Sequence, residues 1–292
     1  MRGIRGLLAG QFFLLCLLIF PMHSHAHSPM RQSFLASDGV RLSFLQSGSP
    51  KQGTPVLALV TGWSMPASVW RLQLHELSTL FHVVALDPRG QGESEVPSQG
   101  YGIDRRADDV REFIQAYPNV VLVGWSLGAL ESLHMWHRHA PSNVRGIVLV
   151  DSSVGEDPPP PSGSTFLNEL RSDREATLRR FIDGIFGRSH TSDERLELLT
   201  QAQRMQLEDS LQLFPSHLPR THWREITRQV SVPLMYAVTP QFSAQAQHLK
   251  QARPATKIAV FRETGHALFA DSPTRFNRLL MEFVNALRVP PR

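Results

Sequence analysis

The sequence predicts an α/β fold: a mostly parallel sheet flanked by helices, interrupted by a helical cap insertion. Three observations predict it. Short apolar, β-rich runs recur at Val56–Val60, Val83–Leu86, Val120–Val123, Ile147–Val150, Leu234–Val238 and Ile258–Phe261, and such unbroken runs suit strands buried on both faces. The segments between most of them carry apolar residues at helical spacing, and this alternation builds a parallel sheet with helices on either side. One interval, residues 152–230, has no strand signal and is too long for a loop.

The elements follow in order. "SFLAS", a turn at Asp38-Gly39 and "VRLSFLQ" read as a hairpin over Gln32–Ser47. Helices are predicted over Val69–Leu80 (Val69, Leu72, Leu74, Leu77), Ile103–Tyr117 (Ile103, Ala107, Val110, Phe113, Ile114, Tyr117), Ser126–His139 and Phe276–Leu287. The long interval opens with a stiff, turn-rich linker, "GEDPPPPSGS". Two amphipathic stretches follow, "FLNELRSDREATLRRFIDGIF" and "DERLELLTQAQRMQLEDSLQLF". The core is therefore expected over 32–151 and 231–290. The cap, 152–230, is expected above the carboxyl ends of the strands, where open α/β sheets place their sites.

The first 26 residues are expected to lie outside this core. Arg2 and Arg5 precede an apolar run from Leu7 to Phe20, Pro21 breaks it, and Ser24-His25-Ala26 supplies small residues for cleavage. This is the layout of a secretory signal peptide. The run is short of the ~20 residues that span a bilayer as a helix, although an uncleaved anchor stays open as an alternative. Leu14 and Leu15 ahead of Cys16 argue against a lipoprotein. An exported protein, periplasmic or secreted, is the expectation. Its mature form would lack cysteine, because Cys16 is the only one; that excludes disulfides, thiolate metal sites and a cysteine nucleophile. Removing residues 1–26 takes away two arginines and no acid, so the net charge of +4 becomes only mildly positive. No basic run with interleaved aromatics points to nucleic acid.

The chemistry is concentrated in "VVLVGWSLGALESL", residues 120–133. A serine between two glycines, where a strand becomes a helix, is a nucleophile elbow. The turn lifts the hydroxyl clear of the sheet, side chains at ±2 would collide with strand and helix, and the helix amino terminus points N–H groups at developing negative charge. The alternative reading of the stretch is a tight structural turn.

These residues resemble the α/β-hydrolase superfamily over most of 32–290. "VTGWSMPASVW" (60–70) resembles its oxyanion loop, "LDPRGQGES" (86–94) its Asp-x-x-Gly-x-Gly-x-Ser turn, and "ETGHALFADSPTRF" (263–276) its Gly-His segment. Within the superfamily the loops most resemble small-ester carboxylesterases typified by pimeloyl-ACP methyl ester esterase. The resemblance implies Ser126 as nucleophile, His266 as general base, and the backbone N–H groups of Trp63 and Leu127 as the oxyanion hole. It implies no cofactor and no metal. His134, His137 and His139 are read as surface or core histidines. Asp87 and Arg89 are read as structural, and Asp271 as a cap for the final helix ahead of Pro273.

Two positions depart from the family. The usual acid follows the strand at 234–238, yet "MYAVTPQFSAQ" has no carboxylate there, nor does any residue from Pro233 to Arg262. Some members of the superfamily carry the acid one strand earlier; by that resemblance Asp151, which ends that strand in "IVLVDSS", keeps the superfamily order Ser126, Asp151, His266. It is the candidate orienting acid; the alternative is that it caps the linker, with Glu156 and Asp157 as weaker candidates. Thr61 stands where the family has a histidine that braces the oxyanion loop. The expected function is hydrolysis of a carboxylic ester, or a thioester or lactone, through an acyl-enzyme, with Trp63, Met65 and Trp125 making an apolar pocket mouth. Cofactor-free haloperoxidase-type perhydrolysis on the same residues, or an exported binding protein with a degenerate site, are the alternatives.

Overall fold

Alternate residues of each central strand face opposite ways and so feed two separate apolar clusters. Leu57, Leu59, Val83, Ala85, Val121, Val123, Val148 and Val150 belong to one; Ala58, Val60, Val84, Leu86, Leu122, Ile147 and Leu149 belong to the other. The computed structural model describes residues 28–160, 164–187, 191–215 and 217–287; the expected signal peptide and Cys16 lie outside them. The strands are β1 (Met30–Leu35), β2 (Arg41–Ser47), β3 (Val56–Val60), β4 (Val83–Leu86), β5 (Val120–Trp125), β6 (Val144–Val150), β7 (Leu234–Val238) and β8 (Lys257–Val260). They form one sheet in the order β1-β2-β4-β3-β5-β6-β7-β8. β1–β2 and β2–β4 pair antiparallel, and every other pair is parallel.

Helices α1 (Arg71–Glu76), α2 (Ile103–Ile114) and α3 (Leu127–His139) connect the first strands. Between β6 and β7 the chain inserts α4 (Ser164–Ser172), α5 (Arg174–Ile185), α6 (Ser192–Ala202), α7 (Leu207–Gln212) and α8 (Arg220–Gln229). Helices α9 (Ser243–Ala252), α10 (Leu268–Asp271) and α11 (Pro273–Leu287) complete the fold. Side chains of α1 and α11 (Leu74, Phe276, Leu280) join the first cluster; those of α2 and α3 (Val110, Phe113, Leu133) join the second.

Element boundaries moved for local reasons. The helix expected over Val69–Leu80 is a 3-10 turn, Ala67–Trp70, followed by a short α1. There the buried Trp70 ring stacks on Phe269, with centroids 3.7 Å apart. α2 stops at Ile114 rather than Tyr117, because Pro118 disfavours helical backbone in the residue before it. α11 begins at Pro273, whose missing N–H costs nothing at a first helical position. The first amphipathic stretch of the insertion is broken at a cap, and a second cap opens the other stretch. Asp173 accepts from Ala176 N, and Thr191 forms a capping box with Glu194.

The insertion is fastened to the core by polar contacts. Arg106, buried on α2, pairs with Glu131 of α3 and donates to the carbonyl of Leu213 (2.5 Å) and that of Tyr101 (2.9 Å). The linker residue Glu156 is buried and ion-paired to Arg228 of α8 (2.6 Å). At the α3–α8 joint His134 Nε2 lies 2.6 Å from Asp104 Oδ1, and its Nδ1 lies 3.3 Å from His222 Nε2. The carboxylate can only accept, so His134 carries its proton on Nε2 and His222 donates to Nδ1. His139 pairs likewise with Asp108. Among the described residues no three ligating side chains could hold a metal ion.

Burial depresses the His134 pKa below its ordinary 6.5 against the opposing pull of Asp104; burial and then the His134 and His137 charges depress that of His222. The folded state thus prefers both rings neutral. An unfolded chain takes up those protons first as pH falls, so this contribution is present above about pH 6.5 and lost progressively below it. The unfolding free energy, measured in urea, is expected to drop between pH 7.5 and pH 5. The drop should be smaller in a His134→Gln/His222→Gln variant, and an unchanged drop would remove these rings from the account.

Candidate active site

Ser126 occupies the turn between β5 and α3 with φ +54° and ψ −117°, a strained conformation for a residue with a side chain, costing ~1–3 kcal/mol. The surrounding packing enforces it. A Cβ on Gly124 would stand 2.4 Å from the carbonyl oxygen of Gly128, and one on Gly128 would stand 2.5 Å from that of Thr61. Only glycine lets α3 approach β5 and β3 this closely. The side chain is thereby presented at the carboxyl edge of the sheet, at the amino terminus of a 13-residue helix.

The neighbouring strand ends are stitched in sequence. Ser126 N donates to Val150 O (2.9 Å), and Asp151 N donates to Ala237 O (2.8 Å). Asp151 also has positive φ (+43°) and is 1% exposed. Its Oδ1 accepts from Thr239 N (2.6 Å), and its Oδ2 lies 2.7 Å from His266 Nδ1. No hydrogen bond joins the carboxylate to the linker N–H groups among the described residues. Glu156 is paired with Arg228 and Asp157 with Arg224 (3.0 Å), so neither reaches His266. Burial, and then the Asp151 charge, push the Tyr236 phenol upward. It stays a neutral donor to Ser152 O (2.5 Å), bracing the turn from below.

His266 follows β8. Trp125 Nε1 donates to its carbonyl (3.0 Å), and the Trp125 ring lies 5.2 Å from the imidazole. Asp271 turns one oxygen, Oδ2, to both Gly265 N and Gly187 N (2.7 Å each). The expected cap of the last helix therefore ties the histidine loop to the end of α5. Ala267 N donates to Ile185 O (2.8 Å) across the same seam. Because Asp151 accepts at Nδ1, the neutral ring leaves Nε2 as a base. Among the described residues neither Nε2 nor the Ser126 hydroxyl has a hydrogen-bond partner, and both residues are partly exposed.

The loop from Thr61 to Met65 crosses beside the elbow, and a Cβ on Gly62 would stand 3.1 Å from Ser126 Cβ. Thr61 Oγ1 donates to Met65 O (2.9 Å), closing the loop in the absence of the family histidine. The N–H groups of Trp63 and Leu127 donate to no acceptor among the described residues. Asp87, read as structural, accepts from Ala67 N (2.6 Å) and Glu93 N (3.1 Å), and Arg89 forks onto Asp109.

One expectation is corrected here. Trp63, Met65 and Trp125 do not form an apolar mouth, because all three are buried. Trp63 lies under the insertion, its ring within 5.5 Å of those of Phe166, Phe181 and Phe214 and its Nε1 on Ser210 O (2.8 Å). The groove that reaches His266 is lined by Phe181, Ile185 and Phe242, with Arg180 and Gln241 at its polar side. The insertion residues Phe181 and Ile185 carry no sequence motif; only their place on the apolar face of α5 marks them.

Residues 57–279 match the model of the alpha/beta hydrolase family. The chain is 27% identical over 248 residues to the pimeloyl-[acyl-carrier protein] methyl ester esterase of Vibrio cholerae, covering 78% of this chain and 93% of that protein. To the esterase of the same name from Vibrio atlanticus it is 28% identical over 253 residues, covering 78% and 94%. Among solved structures, an esterase from Exiguobacterium antarcticum superposes with a TM-score of 0.77 at 20% identity, over 88% of this chain and all of that one. A bromoperoxidase from Bacillus anthracis does so with 0.75 at 21%, over 87% and all of that chain. The eight-stranded sheet, the elbow and these likenesses agree, and the chain belongs to the alpha/beta hydrolase family as an enzyme of the esterase type.

Proposed function

We propose that the protein is a serine esterase that cleaves a carboxylic ester through an acyl-enzyme on Ser126. The observation that carries this reading is the 2.7 Å contact between Asp151 Oδ2 and His266 Nδ1, beside a serine held in a strained elbow. His266 Nε2 takes the Ser126 proton as Oγ attacks the carbonyl carbon. The resulting oxyanion is received by the N–H groups of Trp63 and Leu127. The carbon–oxygen bond to the leaving alcohol breaks, His266 returns the proton to that oxygen, and the acyl group stays on Ser126. Water, deprotonated by the same nitrogen, attacks the acyl carbon; the bond to Ser126 Oγ breaks, His266 returns the proton to Oγ, and the acid leaves. The serine–histidine contact forms with substrate in place, as such contacts commonly tighten in the complex.

The substrate we propose is a carboxylic ester, with the helical insertion, which supplies Phe181 and Ile185 to the groove at His266, setting its shape. The two Vibrio relatives, named for a methyl ester bond, support an ester over a thioester or lactone. The bromoperoxidase neighbour supports a second reading, in which hydrogen peroxide replaces water as acyl acceptor. We also propose export, from the layout of residues 1–26. No helix among the described residues is long and apolar enough to cross a membrane.

Three outcomes are expected. A fluorophosphonate probe labels the parent and not Ser126→Ala, and a panel of esters of graded acyl length is turned over by the parent alone; equal labelling of both proteins would end the serine mechanism. Asp151→Asn keeps the acceptor for Thr239 N but presents an amide to His266. It is expected to fold near wild type and lose ~10³–10⁴ in kcat, as loss of the orienting acid does through the wrong imidazole tautomer. Parent-like kcat would remove Asp151 from the site. Intact-mass measurement of protein recovered from the periplasm is expected to show a chain beginning at His27; retention of Met1 on membranes would favour the anchor.

A further inference from the structure

We infer that Gln91 is a positioning residue for the oxyanion hole: its buried amide grips the loop on both sides of Trp63 and so aims the Trp63 N–H at the reacting carbonyl. This rests on the serine-esterase reading above. Gln91 is the variable residue between the two glycines of "RGQGES" and is 3% exposed. Its Nε2 donates to Gly62 O (3.2 Å), and its Oε1 accepts from Ser64 N (2.5 Å). Both atoms of the amide are thus committed to the peptides that flank one residue.

The consequence follows from peptide geometry. Gly62 C=O and Trp63 N–H belong to one planar trans unit and point in opposite directions. Holding the carbonyl toward Gln91 therefore aims the N–H away from it. The other side is the elbow, since a Cβ on Gly62 would meet Ser126 Cβ at 3.1 Å. The same carbonyl accepts from Met65 N (3.3 Å), closing a four-residue turn over Gly62–Met65. The third residue of that turn, Ser64, has φ +57°, a conformation that type II turns demand at this position and that residues other than glycine resist. Gln91 Oε1 receives the Ser64 N–H that this conformation turns inward. Without the amide, the Gly62–Trp63 and Trp63–Ser64 peptides have fewer anchors, and relaxation of Ser64 rotates both. Thr61 Oγ1 holds only the far end of the loop, at Met65 O, so it does not fix either peptide.

The test uses two variants of the full chain, Gln91→Met and Gln91→Glu, with Ser126→Ala as control. Methionine removes donor and acceptor at similar volume. The expected result is a kcat lower by ~10-fold or more, part of the ~10²–10³ that loss of one oxyanion donor costs, with KM within about threefold. Glutamate is the sharper variant. Ionised, it sets an oxygen against Gly62 O; protonated, it regains a donor there. The ratio of its kcat to that of the parent is expected to climb as pH falls through the carboxyl titration. A general loss of stability cancels from that ratio when the folded fraction is measured in parallel. A flat ratio near unity, or a Gln91→Glu deficit that is identical at every pH, overturns the inference. If Gln91→Met fails to fold, the pH ratio of Gln91→Glu decides alone. Hydrolysis that survives in Ser126→Ala would sink the serine-esterase reading itself, whereas an inert Ser126→Ala beside parent-like Gln91 variants sinks this inference only.

Discussion

The Asp151 carboxylate is the contact on which the arrangement depends. One oxygen accepts from the backbone at the end of β7, and the other meets an imidazole that arrives from beyond β8. A carboxylate this deeply buried is costly unless each oxygen is satisfied; here both are. Three elements far apart in sequence are thereby held at one point: the end of β6, the end of β7 and the histidine loop. The Thr239 N–H is the structural half of the bond pair, fixing the carboxylate so that its second oxygen has one direction left. The bond to His266 then fixes the ring and its tautomer. In the usual family arrangement the acid would stand near Thr239 itself. Here the carboxylate reaches across from the adjacent strand and uses the backbone at that place as its anchor.

Strain concentrates on the same edge of the sheet. Ser64, Ser126 and Asp151 all have positive φ without being glycine, and each is overdetermined by its surroundings. Ser126 is trapped by the close approach of α3, Asp151 by Thr239 and His266, and Ser64 by Met65 and Gln91. A few kcal/mol of local strain is tolerable because the strands beneath are among the most completely buried parts of the chain. The site is rigid because the sheet is, and the sheet is rigid because its central strands spend both faces in apolar contact.

What could be read in the sequence was what is local. The strand runs are visible because burial on both faces leaves no polar residue in them, and β3, β4 and β7 lie where the runs are. The elbow is visible because the two glycines and the serine sit within five residues and answer to one steric demand. The candidacy of Asp151 came from the family resemblance, some of whose members carry the acid one strand earlier, since nothing in "IVLVDSS" distinguishes an acid that faces an imidazole from one that caps a turn. Gln91 and Asp271 were illegible as site residues. Each acts through side-chain bonds to backbone groups in another loop, and a backbone N–H leaves no trace in composition. The burial of Trp63 was misread for a related reason: the aromatic residues that cover it come from three separate parts of the insertion.

That cover changes what the insertion is. Its helices do not merely overhang a finished site. Phe166, Phe181 and Phe214 enclose the Trp63 ring, and Ser210 accepts from its indole. Gly187 and Gly265 share one Asp271 oxygen so closely that a Cβ on either would fall about 2.5 Å from the backbone nitrogen of the other. The insertion therefore touches the core at the loop bearing one proposed oxyanion donor and at the loop bearing the proposed base. Phe181 and Ile185, which shape the groove, both belong to α5 and make two of the core contacts themselves, Phe181 on the Trp63 ring and Ile185 O on Ala267 N. The groove and the supports of Trp63 and His266 then belong to one packed unit, and a change that widens the groove by moving α5 also moves those supports. Under the proposed mechanism, specificity is mechanically coupled to catalysis, in contrast to a design in which a lid closes over a core that is complete without it.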